Sequence, residues 1–227
     1  MNRAVRSVLQ YSRCLQRHPP RRGQEFLVCR CLGSRGGDQG PLCARVQVLS
    51  TSQDATAVLA AYFARQKCMP GDCYLLFGDV GAGKSYFSRE FIRFALDDEE
   101  MEVPSPTFLL HNMYSGMNDG PPMIHHYDLY RLLDEKYSGV ERLGFDNTVR
   151  SGVCLVEWPQ VLEPLGLVPD ERVELSFRLT SSSPTHEKDE RIIDIRGFGP
   201  QWTRVVETLG EHIEQRGDAL GLQYLSV

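Results

Sequence analysis

The sequence predicts an α/β fold with a mostly parallel central sheet and antiparallel additions. Short apolar runs of strand length alternate with longer segments whose apolar residues recur at helical spacing. The run at 73–77 is continuously apolar, as is typical of a strand in a parallel sheet that helices cover on both faces. The chain has 227 residues, 41% of them hydrophobic and 24% charged, which is enough for a well-packed core. We therefore expect one ordered domain over residues 45–227.

The predicted elements follow one another from about Arg45. Alternation at Val46 and Val48 indicates a short strand, and the turn-like residues 50–52 indicate a helix cap. Helical spacing predicts helices at 56–66, from Lys84 onward and at 201–216, with an acidic solvated turn at 97–100. Five further strands are predicted at 107–112, 123–128, 153–156, 173–180 and 191–196. Residues 118–122 are expected to form a loop, 129–149 short helical stretches, and 181–184 a hairpin tip.

Basic residues are concentrated at the N-terminus. The first fifty residues hold nine arginines, no lysine and two acidic residues, whereas the rest of the chain holds 16 basic and 28 acidic residues. An arginine-rich, acid-poor segment is typical of an organelle transit peptide. We therefore expect residues 1–44 to be a basic transit peptide or disordered leader, and the protein to be mitochondrial. The alternatives are a plastid location, or a cytoplasmic one in which the leader is a basic tail that contacts nucleic acid.

Several classes of protein are excluded by composition and motif. No apolar run approaches the roughly 18 residues that cross a bilayer, so no membrane segment is expected. Seven irregularly spaced cysteines indicate thiols in a reducing compartment rather than a disulfide framework. Zinc is not expected at His125 and His126, because neighbouring strand residues point to opposite faces of a sheet. No Ser/His/Asp set or G-x-S-x-G elbow indicates acyl transfer.

Residues 78–85 match the Walker A pattern G-x-x-x-x-G-K-[ST]. The match lies between an apolar strand and an amphipathic helix, as phosphate binding by backbone N–H groups requires. Lys84 would then contact the β- and γ-phosphates, and the Ser85 hydroxyl would bind Mg²⁺. The pattern predicts a nucleotide, ATP or GTP, and Mg²⁺ as cofactors, and a three-layer fold like that of P-loop NTPases. The predicted nucleotide-binding residues of this segment are Gly78, Asp79, Val80, Gly81, Ala82, Gly83, Lys84 and Ser85.

Two carboxylates stand at predicted strand ends. Glu157 follows the apolar run 153–156, and Asp128 ends the strand at 123–128. Because open α/β sheets bind ligands at the carboxyl ends of their strands, both acids are candidates for metal binding and for orienting the attacking water. The alternatives are a surface glutamate at Glu157 and a helix N-cap at Asp128.

Four segments, in this order, resemble the TsaE (YjeE) family, the small P-loop ATPases of tRNA threonylcarbamoyladenosine formation. The resemblance spans about residues 45–180 and is much more specific than the Walker A pattern alone. The matching segments are GDVGAGKS at 78–85, VPSPTF at 103–108, HYDLYRL at 126–132 and CLVEWP at 154–159.

The resemblance implies a role for each matching residue. Ser105 and Thr107 would form a switch segment near the γ-phosphate, although Ser-Pro-Thr is also a common turn before a strand. Asp128 and Glu157 would be the acidic residues needed for hydrolysis, and both would bind the metal together with Ser85. Trp158 would be the aromatic residue that senses nucleotide or partner; otherwise it is a core or rim aromatic.

The resemblance also implies a function. The protein would be a Mg²⁺-dependent ATPase, slow when alone, with Glu157, Asp128 and Lys84 as its catalytic residues. It would reset a complex of TsaD-like and TsaB-like proteins that modifies the tRNA adenosine next to the anticodon, and it would meet tRNA only through that complex. Ser85 stands where threonine is more usual, which keeps the hydroxyl. The alternatives are a small-molecule or nucleotide kinase, and a nucleotide-binding scaffold without turnover.

Overall fold

The computed structural model describes residues 43–66, 68–116, 122–133, 140, 143–180 and 190–225. Residues 1–42, and with them nearly all of the predicted leader, lie outside this part of the chain. Mitochondrial import therefore stays a prediction. The predicted hairpin tip at 181–184 and most of the predicted loop at 118–122 also lie outside the described residues.

Over the first two thirds of the domain the described residues form strands and helices that alternate, except for two consecutive strands at 111–114 and 124–128. Short 3₁₀ turns lie at Tyr130–Leu132, Pro159–Val161, Glu163–Leu165 and Gly217–Leu220. The strands and helices are, in chain order, β1 (Cys43–Ser50), α1 (Gln53–Ala64), β2 (Cys73–Phe77), α2 (Lys84–Leu96), β3 (His111–Tyr114), β4 (Ile124–Asp128), α3 (Phe145–Ser151), β5 (Val153–Glu157), β6 (Arg172–Leu179), β7 (Arg191–Phe198), α4 (Pro200–Arg216) and β8 (Leu222–Leu225).

All these strands belong to one mixed sheet with the order β3-β4-β5-β2-β6-β7-β1-β8. Strands β4, β5, β2 and β6 run parallel to one another, and the other four strands pair antiparallel. The predicted α/β class and parallel centre are confirmed, but the antiparallel part is as large as the parallel part. Strand β8 was not predicted, because four residues of which only Leu222 is buried give too short a pattern.

Each face of the sheet has its own hydrophobic core. Along β2, Tyr74 and Leu76 pack with α1, α2 and α4, whereas Cys73 and Leu75 pack on the opposite face with the side that carries α3. Burial on both faces explains the continuous apolar run that β2 shows in the sequence. None of the described helices is long and apolar enough to cross a lipid bilayer.

Two predicted elements begin at least three residues from their predicted start. The strand predicted at 107–112 is β3, which begins at His111, because the Leu110 N–H donates to the Pro106 carbonyl at 2.6 Å and closes a turn over the earlier residues. The helix predicted at 56–66 begins earlier, at Gln53, because the Ser52 hydroxyl accepts a hydrogen bond from the Ala55 N–H at 3.1 Å. Its first two residues, Gln53 and Asp54, are polar and exposed, so the apolar periodicity of the helix starts only after them.

Candidate functional site

The Walker A segment forms the connection between β2 and α2, and its glycines adopt left-handed backbone conformations. The φ angles are 132° at Gly78, 77° at Gly81 and 114° at Gly83. A Cβ atom at Gly78 would also stand 2.4 Å from the carbonyl oxygen of Phe177 in β6, so this position excludes every side chain. Asp79, Val80 and Gly81, at the tip of the segment, are exposed.

Lys84, the first residue of α2, reaches back across the loop. Its Nζ donates to the carbonyl oxygens of Gly78 at 2.6 Å and Asp79 at 2.8 Å, and lies 3.9 Å from the centre of the Trp158 ring. Burial lowers the pKa of the Lys84 amine, while the carboxylates of Glu157, Asp128 and Asp79 act to raise it. The ammonium group is therefore held at the centre of the loop, facing the acidic strand ends.

Glu157 lies against the Walker A segment, where the sequence placed it. It ends β5, directly beside Leu76 of β2, and its side chain is 1% exposed. One carboxylate oxygen accepts the Ser85 hydroxyl at 2.7 Å. The other is 3.2 Å from the Ser88 hydroxyl, which donates to it, and 2.8 Å from His126 Nε2. This environment rules out the alternative of a surface glutamate.

Ser88 and His126 are members of the site that the sequence analysis did not assign. Ser88 follows Ser85 by three residues and therefore lies on the same helix face. His126 precedes Asp128 by two residues in β4, so both side chains lie on the face of the sheet that carries α2. These two spacings are the sequence features from which Ser88 and His126 could have been assigned to the site. The Nδ1 atom of His126 is buried without a hydrogen-bond partner among the described residues.

Asp128 ends β4 beside Glu157 and connects the site to the segment before β3. One carboxylate oxygen accepts the Thr107 hydroxyl at 2.6 Å and the Ser105 hydroxyl at 3.2 Å. The other accepts the Tyr130 N–H at 3.1 Å. Asp128 is not the N-cap of the 3₁₀ turn at Tyr130–Leu132, which is Leu129, so the alternative raised from the sequence is wrong. Its side chain holds Ser105 and Thr107 near the site.

Trp158 takes a left-handed conformation with a φ of 59°, rare for a residue other than glycine. Its N–H donates to the Leu76 carbonyl at 3.2 Å, and its ring lies 4.9 Å from the ring of Tyr130. This bond continues the pairing of β5 with β2, and the left-handed conformation then turns the chain at the end of β5. The indole is half-buried: it lies against the Lys84 ammonium and packs at the edge of the core on the α3 side. Trp158 is therefore a rim aromatic, the alternative raised from the sequence.

The oxygen atoms gathered here fit Mg²⁺ bound with a nucleotide. Ser85, Glu157 and Asp128 supply one hydroxyl and two carboxylates, the ligands that Mg²⁺ prefers. The described residues hold no cluster of three or more His, Cys, Asp or Glu side chains that would bind a metal alone. Such a cluster is not required, because Mg²⁺ usually takes only one or two carboxylates beside substrate phosphates and water. The structure thus brings the predicted residues together, while their roles stay predictions.

Two histidines stack on the opposite face of the sheet, away from this site. His111 Nε2 lies 2.9 Å from His125 Nδ1, and the His111 ring stacks on Tyr127 with centres 4.2 Å apart. Burial, and the neighbouring His125, lower the pKa of His111 from 6.5 to about 4. Burial also lowers the pKa of His125. The pair therefore stays uncharged at neutral pH.

The His111 environment predicts a loss of stability in acid. Because the folded-state pKa of His111 lies below its unfolded value, its contribution is complete above pH 6.5 and is lost as the pH falls toward about 4. His111→Phe keeps a ring against Tyr127 and removes the titrating group. We expect the free energy of unfolding, measured with urea at several pH values, to fall more steeply over this window in the wild type. Parallel curves would contradict the prediction.

Comparison with known proteins identifies the family. The model of the family described as "Threonylcarbamoyl adenosine biosynthesis protein TsaE" matches residues 50–190, more than half of the chain. Two similar proteins are each named "tRNA threonylcarbamoyladenosine biosynthesis protein TsaE". The one from Bacillus subtilis is 36% identical over 159 residues, 70% of this chain and 87% of its own. The one from Rickettsia conorii is 34% identical over 145 residues, 62% of this chain and 79% of its own.

A solved structure supports the same assignment. The crystal structure of Bacillus subtilis YdiB superposes with a TM-score of 0.57 at 27% sequence identity, covering 75% of this chain and 97% of that one. The family match spans the Walker A segment, both acidic strand ends and Trp158. The chain therefore belongs to the TsaE family.

Proposed function

We propose that this protein is a Mg²⁺-dependent ATPase that acts as a nucleotide switch in the formation of tRNA threonylcarbamoyladenosine. The observation that carries the proposal is the 2.7 Å contact between Ser85 and Glu157. It joins the predicted metal-binding hydroxyl of a Walker A segment to a buried carboxylate at the adjacent strand end. The strand, loop and helix at 73–96 support a P-loop NTPase-like fold, and family membership supports the pathway.

In this proposal each side chain has a distinct task toward the triphosphate. Backbone N–H groups of residues 78–85 and the start of α2 bind the phosphate oxygens. Lys84 neutralises charge at the β- and γ-phosphates, and Ser85 with Glu157 holds the metal. When bound, Mg²⁺ withdraws charge from the phosphate oxygens. Asp128 orients the water that attacks the γ-phosphorus, which breaks the bond to the β–γ bridging oxygen and releases inorganic phosphate.

The contact of Asp128 with Ser105 and Thr107 supports the switch. A change in nucleotide state at Asp128 alters the hydrogen bonds at 2.6 Å and 3.2 Å that hold this segment. The next two residues, Phe108 and Leu109, are 85% and 73% exposed. Large apolar side chains at such exposure are typical of a surface that meets another protein. Nucleotide state would thus be presented to a partner through the segment 105–109.

The partners in this proposal are TsaD-like and TsaB-like proteins, and tRNA is met only through their complex. The names of the relatives, which state tRNA threonylcarbamoyladenosine biosynthesis, support this assignment. The arginine-rich composition of residues 1–44 supports a mitochondrial location, which a fusion of this leader to a fluorescent protein would test.

Phosphate release should be slow for the protein alone and faster with its partners. A lone P-loop protein lacks part of the transition-state stabilisation, so we expect stimulation of about 10-fold or more by the TsaD-like and TsaB-like proteins of its own organism. The measurement is release of inorganic phosphate from Mg-ATP, with and without the partners. The matched control is Phe108→Ser with Leu109→Ser, which should keep the basal rate and lose the stimulation.

The same assay separates the alternatives. No release with or without partners would favour a nucleotide-binding scaffold. Transfer of γ-labelled phosphate to an added small molecule or nucleotide, in place of free phosphate, would favour a kinase. Either result would overturn the proposed ATPase.

A further inference from the structure

Arg191, the first residue of β7, contacts the Walker A segment from the antiparallel part of the sheet. Its Nε donates to the carbonyl oxygen of Ala82 at 3.0 Å, although the two residues lie 109 positions apart in the chain. The side chain is 6% exposed and Ala82 is 2% exposed. An arginine is rarely buried to this extent without a specific polar role.

Strand register explains how Arg191 reaches the loop. Arg191 pairs with Leu179 at the end of β6 and with Ser50 at the end of β1. It shares a face of β7 with Ile193 and Ile195, which pack in the same core as α2. The guanidinium group therefore extends from this face to the start of α2, where the Walker A segment ends.

The guanidinium group also packs against Gly83. A Cβ atom built on Gly83 would stand 2.9 Å from Arg191 Nε and 3.3 Å from its Cδ. Real Cβ atoms essentially never come within 3.0 Å of another heavy atom, so a side chain at 83 would displace Arg191. The glycine of the Walker A pattern is thus required here for the approach of the arginine as well as for its φ of 114°.

The planarity of the peptide bond connects this contact to phosphate binding. In a trans peptide the C=O of one residue and the N–H of the next point in opposite directions. A hydrogen bond that draws the Ala82 carbonyl toward Arg191 therefore turns the Gly83 N–H away from Arg191, toward the other side of the loop. If the peptide rotated, a carbonyl oxygen would face the phosphate oxygens and repel them.

We propose that Arg191 is a positioning residue that holds the Ala82–Gly83 peptide with its N–H directed at the phosphate oxygens of a nucleoside triphosphate. This inference rests on the proposed function, since it needs a triphosphate in the loop. Arg191 acts through the backbone and does not touch the phosphate itself. A residue of the antiparallel strand β7 thereby supports the loop that follows the parallel strand β2.

Arg191→Met, which keeps the length of the side chain and removes its donors, tests the proposal. We expect the Kd for Mg-ATP, measured by isothermal titration calorimetry, to rise about 10-fold, the effect of misdirecting one charge-assisted hydrogen bond. The control is Arg196→Met in the same strand, whose side chain is 48% exposed and pairs with Asp194. It should leave the Kd unchanged.

A second variant separates positioning from a general loss of structure. Arg191→Ala leaves space for free guanidinium ion, and millimolar guanidinium should restore ATP affinity, whereas sodium chloride at equal ionic strength should not. A purely structural defect would not be rescued in this way. If Arg191→Met does not fold, Arg191→Lys keeps the charge but loses the Nε donor, and it should also raise the Kd.

The outcomes distinguish this inference from the proposed function. A wild type that binds no Mg-ATP overturns both. A wild type that binds, with Arg191→Met and Arg191→Lys variants that bind equally well, overturns the role of Arg191 alone. Weakened binding in the Arg191→Ala variant without rescue by guanidinium also counts against positioning.

Discussion

Replacing Glu157 by glutamine should leave ATP bound but slow its hydrolysis by about 100-fold or more, the usual scale for losing a positioned acid or base. Glutamine keeps the size of the side chain and removes the negative charge beside the Ser85 hydroxyl, 2.7 Å away. The metal ligand set then loses its most buried carboxylate, while the backbone N–H groups and Lys84 still bind the phosphates. This variant should therefore bind ATP as the wild type does while hydrolysing it much more slowly.

The measurement pairs calorimetric titration of Mg-ATP with phosphate release under single-turnover conditions. Glu163→Gln is the matched control, because Glu163 lies six residues along the chain in an exposed 3₁₀ turn. Equal rates for the wild type and Glu157→Gln would remove Glu157 from the mechanism.

Glutamine is a sharper test than alanine at this position. Glu157→Ala should also retain ATP binding and lose turnover, but it removes the carboxylate that Ser85, Ser88 and His126 contact. Ser88 keeps its hydrogen bond to the Lys84 carbonyl, whereas the buried Nε2 atom of His126 loses its contact with the carboxylate. An unsatisfied buried polar group costs about 1–3 kcal/mol, so the alanine variant should also unfold at a lower temperature. A thermal melt separates this structural effect from the chemical one.

Replacing Lys84 by alanine should weaken Mg-ATP binding by about 100-fold or more, because in the proposed function its ammonium would make charge-assisted hydrogen bonds to two phosphates. The same ammonium donates to the carbonyls of Gly78 and Asp79 and lies over the Trp158 ring. Its removal therefore also leaves the loop without the contact that spans it. Hydrolysis should fall below detection with the loss of binding.

The control for Lys84 is Arg204→Ala, which removes an exposed positive charge from α4. It should change neither the Kd nor the rate. An unchanged Kd in Lys84→Ala, measured by calorimetry, would show that the Walker A segment does not bind the triphosphate.

The parts of this site that could be predicted from sequence are those in which local pattern and position in the sheet coincide. The Walker A segment is a continuous run of residues, and its glycines are required by local φ angles. Glu157 and Asp128 end apolar runs, and parallel strands of one sheet end at the same edge. The structure places both at that edge: Glu157 contacts Ser85, and Asp128 lies beside Glu157 in the neighbouring strand.

Contacts between distant residues had no such signal. In the sequence, Arg191 is only the first residue of a predicted strand, and His126 is only one of two adjacent histidines. Arg191 contacts Ala82 because of the register of β7 with β6 and β1. His126 contacts Glu157 because of the register of β4 with β5. The turn at Pro106–Leu110 likewise replaced the predicted start of β3, because the side chain of Thr107 bonds to Asp128 in the next strand.

The amino-acid sequence by itself determined the α/β class, the Walker A segment and the family, because periodicity and short motifs depend on residues close together in the chain. Only the tertiary structure decided which groups surround Glu157 and that Arg191 contacts the Walker A segment. Those contacts join residues up to 109 positions apart, and their pairing depends on strand register, which no single segment of the chain encodes.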